Sequence, residues 1–493
     1  MVTSKIILLL RKFDKRDFAD FGEFLRSPYF NNKAKLVQFY NKLEKYYPDF
    51  NETKIKREKI YESLYPESTY NPQVYKNLSS ELYIMAKEFL SVQNIKGKEI
   101  EKELYILNKL EHIKADELYK MELKSFRKKL NEISFDDFTF YNKFNLAALE
   151  RTFYYNRSNF MKGSELNAEE SDELLKFYFI HMFRQRFDME VSKLNSNIVY
   201  EENAAMNYAS SIIDKGILQE TVNYMQSNNI KNNEIVAMFY YILMSLINLN
   251  NDSLFDKAKE LVFRNMSRFE SDVRFVVSSS LLTVCTFKIN LRTAESDYKN
   301  AFEIIKFQLR MKIYKESDES YISVTEFRSI FMIGLYLKEY DWLKKFIKKY
   351  INEVAPEYRT SLYNLLHAHI KFHEKKYDEA LDSVNKVKFE QHIYKQDVRK
   401  LQLLIYFELG HLESVLSLIS SYKEFLNNNK NITEITKKSS FVFLHFISKL
   451  VKLNENFNDY DLLDLKSEVD KNPHAIYKDW LVEKINALEG KDL

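Results

Sequence analysis

The stretch Lys375-Lys376-Tyr377-Asp378-Glu379-Ala380-Leu381 decides the fold of this chain, because its pattern recurs along the sequence. In it the bulky Tyr377 is followed three positions later by the small Ala380 and seven positions later by the β-branched Val384. The same order of a bulky residue, a small or aliphatic residue and a β-branched residue starts at Phe255, Tyr298, Tyr340, Tyr377 and Leu412. Self-similarity of this kind is typical of an array of stacked structural units.

The spacing of the repeat indicates what each unit contains. Successive units start 43, 42, 37 and 35 residues apart, which is long enough for two antiparallel helices and two turns. In such a pair a bulky ring closes the turn, and a small side chain one helical turn later lets the two helices approach closely. The pattern therefore predicts an all-α protein with stacked helix pairs from about residue 170 to 455.

At these residues the chain resembles the tetratricopeptide repeat family, whose unit of roughly 34 residues carries a small residue early in its second helix. The match is tightest at residues 375–381 and 409–415 and extends over residues 235–425. The resemblance implies a right-handed superhelical stack of antiparallel helix pairs, an α-solenoid, with a concave groove lined by the first helix of each pair. In that register the groove-facing positions are Arg328, Met332, His369, His373, Lys400, Leu404 and Glu408.

Composition agrees with a helical array. The chain has only seven glycines and six prolines in 493 residues, whereas sandwiches, barrels and glycine-loop nucleotide folds need more turn residues. No proline stands between Pro72 and Pro356, as a succession of helices requires. Lys and Arg (74) nearly balance Asp and Glu (71), so the chain lacks the overall positive charge that attracts nucleic acid or an acidic membrane.

We predict four regions: an N-terminal helical unit (1–95), amphipathic helices with a linker loop (96–165), tetratricopeptide-like repeats (166–455) and C-terminal capping helices (456–493). Asn71 before Pro72 is a typical helix start. Two charged helices are expected in 97–132, with a break near Lys114. Residues 156–172 lack periodicity and contain Gly163, which favours a domain boundary or a mobile loop there. A last helix is expected over 480–488.

The N-terminal stretch 25–31, together with 45–48, also resembles the opening of a group of bacterial helical-repeat proteins. No activity is assigned to that group. This second resemblance therefore implies a helical N-terminal unit and nothing about chemistry.

The single cysteine and the apolar segments bear on the compartment. Cys285 is alone in the sequence, so an intrachain disulfide is impossible and a reducing compartment is favoured. The apolar run 6–10 is shorter than the roughly 7–15 residues of an export signal. The longest apolar segment, 235–247, is shorter than the about 20 residues that cross a bilayer and is predicted to be a buried helix. We expect a cytoplasmic chain that does not insert into membranes.

Candidate catalytic and metal-binding patterns are few. His369 and His373 stand four apart, together with nearby His367, and two such imidazoles on one helix face can bind zinc. A third ligand is not evident, so groove-facing polar positions are the preferred interpretation. Glu408 and His411 form a single Glu-x-x-His string, whereas a dinuclear site needs two. No two glycines stand within five residues of each other, which excludes a phosphate-binding glycine loop. We therefore predict no catalytic residues, no metal and no cofactor.

The predicted function is a non-enzymatic scaffold that binds a partner polypeptide in the concave groove, with Arg328 and Lys400 pairing with acidic groups on the partner. The alternative is a transcriptional regulator that binds DNA through its N-terminal unit and senses a peptide in the repeats. In the helix pair expected over 53–65 and 72–90, the first helix carries four positively charged residues: Lys54, Lys56, Arg57 and Lys59. The second helix, which should carry the base contacts, starts with one positive charge, and the link exceeds the usual turn. Nucleic acid is therefore not the expected partner.

Overall fold

A computed structural model describes residues 4–51, 54–195, 200–201, 203–292, 294–315, 317, 319–389, 392–430, 432, 434–472 and 475–489. Over these residues the chain forms 24 α-helices and no β-strand, with two isolated β-bridges. The predicted all-α class is confirmed. The chain divides into two compact units, Met1–Glu132 with Asn145–Asn167 and Ile133–Phe144 with Ala168–Leu493. The four-region division stays a prediction.

The first unit begins with seven helices: α1 Lys5–Leu10, α2 Lys15–Arg26, α3 Ala34–Glu44, α4 Arg57–Leu64, α5 Pro72–Lys96, α6 Glu99–His112 and α7 Asp116–Glu132. Asn71 starts α5 as predicted, because its side-chain oxygen accepts the backbone N–H of Gln73 at 2.9 Å. Apolar side chains of α1, α2, α3 and α5 form one core, among them Leu10, Phe21, Leu25, Phe39, Leu43 and Leu82. Helices α6 and α7 are the two predicted between 97 and 132.

Helices α8 (Thr139–Tyr155) and α9 (Phe160–Asn195) each contribute residues to both units. The loop alternative for 156–172 is wrong from Phe160 onward, because α9 starts there. The boundary alternative agrees with the division of the chain into units, which falls between Asn167 and Ala168. Gly163 is not a helix breaker: a Cβ at this position would lie 2.3 Å from Cε1 of Tyr155, so the glycine allows a close approach to that ring. Gly163 and Leu166 are the buried residues of this segment, which is too few for a visible apolar stripe.

The second unit continues with α10 Ala204–Asp214, α11 Ile217–Ser227, α12 Asn233–Ile247, α13 Asp252–Asn265, α14 Ser271–Arg292, α15 Glu295–Met311, α16 Val324–Tyr336, α17 Tyr340–Tyr350, α18 Pro356–His373, α19 Tyr377–Val384, α20 His392–Glu408, α21 Leu412–Asn428, α22 Glu434–Glu455, α23 Asp459–Asp470 and α24 Lys478–Glu489. Neighbouring helices pack in pairs: α12 with α13, α14 with α15, α16 with α17, α18 with α19 and α20 with α21. Each pair also contacts the next one along the chain.

The sequence repeat marks the contacts inside these pairs. The residues three positions after the bulky residue of each repeat are fully buried, near the start of each second helix: Ala258, Ala301, Leu343, Ala380 and Val415. The β-branched residues one turn later are also buried: Val262, Ile305, Ile347, Val384 and Ile419. The pattern is therefore a packing signal, as predicted.

One pair shows how close approach is kept when the small residue is replaced. In α17 the position holds Leu343 instead of alanine, and the facing residue on α16 is Gly334. A Cβ on Gly334 would lie 2.8 Å from Cδ2 of Leu343. In this pair the small residue is on the first helix instead of the second, and the helices still pack closely.

The most apolar helix, α12, is buried on nearly all sides, as predicted for residues 235–247. Its residues from Ile235 to Leu246 belong mostly to the main core of the second unit. Among the described helices, none combines the length and the apolar character needed to cross a bilayer.

Candidate partner-binding face

All seven predicted groove positions lie on α16, α18 and α20, which are the first helices of three successive pairs. Helix α16 contacts α18, and α18 contacts α20. We call this set of positions the first-helix face; it consists of Arg328, Met332, His369, His373, Lys400, Leu404 and Glu408.

Arg328 is paired within the chain. Its Nη2 donates to Oδ1 of Asp397 at 2.7 Å, and its Nε donates to the other oxygen of the same carboxylate. The Asp397 side chain is buried, while that of Arg328 keeps 20% of its surface exposed. Burial alone would raise the pKa of Asp397, but the charge and hydrogen bonds of Arg328 outweigh it and hold the pKa below its usual range. The pair joins α16 to α20 across α18, so the acidic group expected for Arg328 lies in this chain.

Lys400 lies one helical turn after Asp397, on the same side of α20. It is half-buried and forms no direct ion pair with any described residue. Burial lowers the pKa of Lys400 to about 8, although nearby Asp397 favours the charged form. Arg328, Asp397 and Lys400 therefore place two cations against one anion. Whether an acidic partner group meets Lys400 stays a prediction.

The three histidines of α18 lie in different environments. His369 is 1% exposed, neither of its ring nitrogens has a hydrogen-bond partner among the described residues, and burial lowers its pKa to about 3. His373 is exposed and its Nδ1 lies 3.4 Å from the hydroxyl of Tyr340, whereas Nδ1 of His367 lies 3.3 Å from the hydroxyl of Ser383. Over the described ranges, no three His, Cys, Asp or Glu side chains are placed to hold a metal ion.

The two apolar positions of the face differ in exposure. Leu404 is fully buried in the core formed by the last helices, so it contributes packing and no exposed contact surface. Met332 is half-buried against the main core of the unit. Of the seven predicted positions, Leu404 and His369 are thus inaccessible in this structure.

Glu408, the last residue of α20, receives two side chains from the C-terminal helix. Nε1 of Trp480 donates to Oε1 of Glu408 at 2.6 Å, and Nζ of Lys484 lies 2.7 Å from the same oxygen. The ion pair is well shielded, since the side chains of Lys484 and Glu408 are 16% and 11% exposed. The Trp480 ring also meets the Phe407 ring at 5.3 Å between centroids. The C-terminal helix was predicted, but its contact with Glu408 was not; the spacing of Trp480 and Lys484, one helical turn apart, was the available signal.

Tyr477, the residue just before α24, is held near the charged pair. Its backbone has a φ of 55°, in the left-handed region that costs a non-glycine residue about 1–2 kcal/mol. Its ring lies 5.6 Å from that of Phe443. Burial raises the pKa of Tyr477, and the nearby carboxylate of Asp397 raises it further. Side-chain contacts must offset the backbone cost, so this placement is specified by the surrounding structure.

Two other candidates from the sequence have simple structural settings. Cys285 is buried, and burial strongly raises the pKa of its thiol, as expected for an inert core cysteine.

In the first unit, helix α4 begins at Arg57; Thr53, where this helix was predicted to begin, lies outside the described residues. Lys54 and Lys59 are exposed, and α4 and α5 each pack on α3. DNA binding by this unit stays a prediction.

Comparisons of the chain with protein-family models, with curated proteins and with solved structures give no match. The geometry of the first-helix face is therefore the basis for a proposed function.

Proposed function

We propose that this chain is a non-enzymatic scaffold that binds a partner polypeptide on its first-helix face. In this proposal the helix pairs are antiparallel and stack into a right-handed, tetratricopeptide-like superhelix, with the first helices along its concave side. A cytoplasmic location is part of the proposal, supported by a single buried cysteine that needs no oxidising compartment.

The observation that carries the proposal is the ion pair between Arg328 on α16 and Asp397 on α20. These helices belong to pairs that are not consecutive, with α18 between them. A contact between side chains of two first helices across a third is expected where the three helices line a shared concave side. This supports one continuous face built from several repeats.

The chemistry of the face suits a polypeptide better than a small molecule. It offers an ammonium group at Lys400, the exposed His373 and the half-buried Met332, spread over three helices. Polar anchors at intervals with apolar contacts between them are the usual means of holding a helix or an extended segment. Glu408 already holds an indole and an ammonium group from α24, so the face accepts side chains of a helical segment.

The test is affinity capture of partners from the native cell with two versions of the full chain. One version carries His373→Ala and Lys400→Gln on the first-helix face. The matched control carries Lys345→Gln and Lys423→Gln, two exposed positions on the second helices α17 and α21. We expect the first version to lose at least tenfold of a specifically captured protein and the control to retain it.

A photo-crosslinker at position 332 then maps the contact. We expect crosslinks between this position and the captured protein. Equal capture by both versions, or crosslinks confined to positions on the second helices, would contradict the assignment of the face.

A further inference from the structure

The C-terminal helix covers the end of the first-helix face with two side chains. Trp480 and Lys484 bind Glu408. They stand four residues apart, so they lie on one side of α24. The segment 475–489 therefore engages the face at Glu408.

The adjoining side of α24 packs into the core. Leu481, Ile485 and Leu488, together with Trp480, are buried in the core that α24 shares with α22 and α23. This apolar stripe is sufficient to cap the stack. The hydrogen bond and ion pair to Glu408 are not needed for a cap, and a capping helix ordinarily turns its polar residues to solvent.

The charges of the face also support a binding role for α24. A buried carboxylate without a partner is costly, and Glu408 gains both a neutral donor and a cation from α24. Lys400, by contrast, receives no counter-ion from the described part of the segment. The segment satisfies one end of the face and leaves a positive charge unmatched at the other.

Building on the proposed function, we propose that the first-helix face binds an amphipathic helix that carries an aromatic residue and a lysine one turn later, and that segment 475–489 is an internal copy of this ligand which a partner displaces. The partner replaces Trp480 and Lys484 at Glu408. An acidic residue on the partner's helix reaches Lys400, which α24 leaves unpaired.

The physical basis of such a device is effective concentration. A tethered segment competes at the millimolar level typical of short linkers, so it excludes weak ligands and yields only to a tighter one. Weakening the tethered copy must then raise the apparent affinity for the same sequence added in trans.

The experiment uses a fluorescein-labelled peptide of residues 475–489 and four full-length chains: wild type, Trp480→Ala/Lys484→Ala, Glu408→Gln and Asn486→Ala. The last substitution is at an exposed position of α24 and serves as the matched control. Fluorescence anisotropy gives the peptide affinity of each chain. We expect at least tenfold tighter binding to Trp480→Ala/Lys484→Ala than to wild type or to Asn486→Ala.

Two comparisons make the result specific. A peptide that itself carries Trp480→Ala and Lys484→Ala is expected not to bind the weakened chain. Glu408→Gln is expected to loosen α24 without gaining affinity for the peptide, because the receiving carboxylate is lost. Equal affinity for wild type and the weakened chain overturns the proposal, and so does dimerisation of the weakened chain by exchange of α24.

A measurement on the wild-type chain covers the case in which the double variant does not fold. Excess peptide is expected to speed hydrogen exchange in residues 478–489 and to leave the exchange of α12 unchanged; no acceleration at 478–489 overturns the proposal. If His373→Ala/Lys400→Gln abolishes partner capture while the peptide fails here, the scaffold function stands and only the internal-ligand inference falls.

Discussion

Replacing Lys400 by methionine should make the second unit more stable at neutral pH. Lys400 is half-buried and has no direct ion pair with a described residue, while the neighbouring Asp397 keeps its hydrogen bonds to Arg328 in the variant. Methionine keeps most of the apolar stem and removes the ammonium group. Exchange of a poorly compensated buried charge for an apolar group of similar size is stabilising in many proteins.

The size of the effect follows from the pKa of Lys400, which burial lowers from 10.5 to about 8. The folded state thus releases its proton more readily than the unfolded state, and the charged form opposes folding below pH 8. At about 1.4 kcal/mol per pKa unit, the penalty at pH 7 is about 3 kcal/mol. Between pH 8 and 10.5 the folded lysine is neutral while the unfolded one is still charged, so the stability of wild type rises with pH. By pH 9.5 about 2 kcal/mol of the penalty has disappeared.

Urea unfolding followed by tryptophan fluorescence measures this directly, because both tryptophans of the chain, Trp342 and Trp480, lie in the second unit. We expect Lys400→Met to exceed wild type by about 3 kcal/mol at pH 7 and by about 1 kcal/mol at pH 9.5. Lys423→Met, at an exposed position of α21, should change the free energy of unfolding by less than about 0.5 kcal/mol at both pH values. A less stable Lys400→Met chain at pH 7, or a difference from wild type that is the same at both pH values, would refute the reasoning.

Three other predictions follow from single contacts. Asp397→Asn leaves the Arg328 guanidinium without its counter-charge. It should lower the free energy of unfolding of the second unit by about 3–5 kcal/mol in the same urea assay, and a loss below about 1 kcal/mol would count against the pair. Gly334→Ala places a methyl group 2.8 Å from Leu343 and should cost about 1–3 kcal/mol, seen as a lower melting temperature; adding Leu343→Ala should restore part of it, and a double variant less stable than both single variants would contradict the assigned contact. Cys285 should resist a thiol reagent at pH 8 in the native chain and react fully in urea, since its thiol is buried and its pKa is raised by that burial; rapid native labelling would contradict its placement.

The helix pairs were predictable because close packing leaves a local trace in the sequence. A position such as Ala380 or Ala258 must be small where two helices cross, and the next turn must be apolar on the same side. Both requirements concern positions within a stretch of eight residues, so the local sequence is enough to recognise them. The loop alternative failed from Phe160 onward because a glycine in a polar stretch indicates a helix break, whereas Gly163 makes room for the ring of Tyr155.

The contacts of the first-helix face were not predictable in the same way. Arg328 and Asp397 are 69 residues apart, and Glu408 and Trp480 are 72 apart. Both distances are close to two repeat units, but the units differ in length, so the spacing alone does not tell which residues meet. Such contacts depend on how each pair is oriented on the next, which is set by many side chains together. The sequence indicated which helices share a side, but it could not indicate which charges on that side meet.

The proposed binding face must also accommodate its charges when no partner is bound. A buried charge must find a counter-charge or solvent, and on this face Arg328 has Asp397 while Glu408 has Lys484. A competing helix therefore gains little binding free energy from these groups unless it supplies the same hydrogen-bond donor and the same positive charge that it displaces. The exchange is then selective for helices that carry these groups, although it adds little affinity by itself. Lys400 is the exception, because the internal segment offers it no counter-ion among the described residues. A helix that matches Trp480 and Lys484 and also brings a carboxylate to Lys400 has an advantage over the tethered copy, and that surplus is what would drive the displacement.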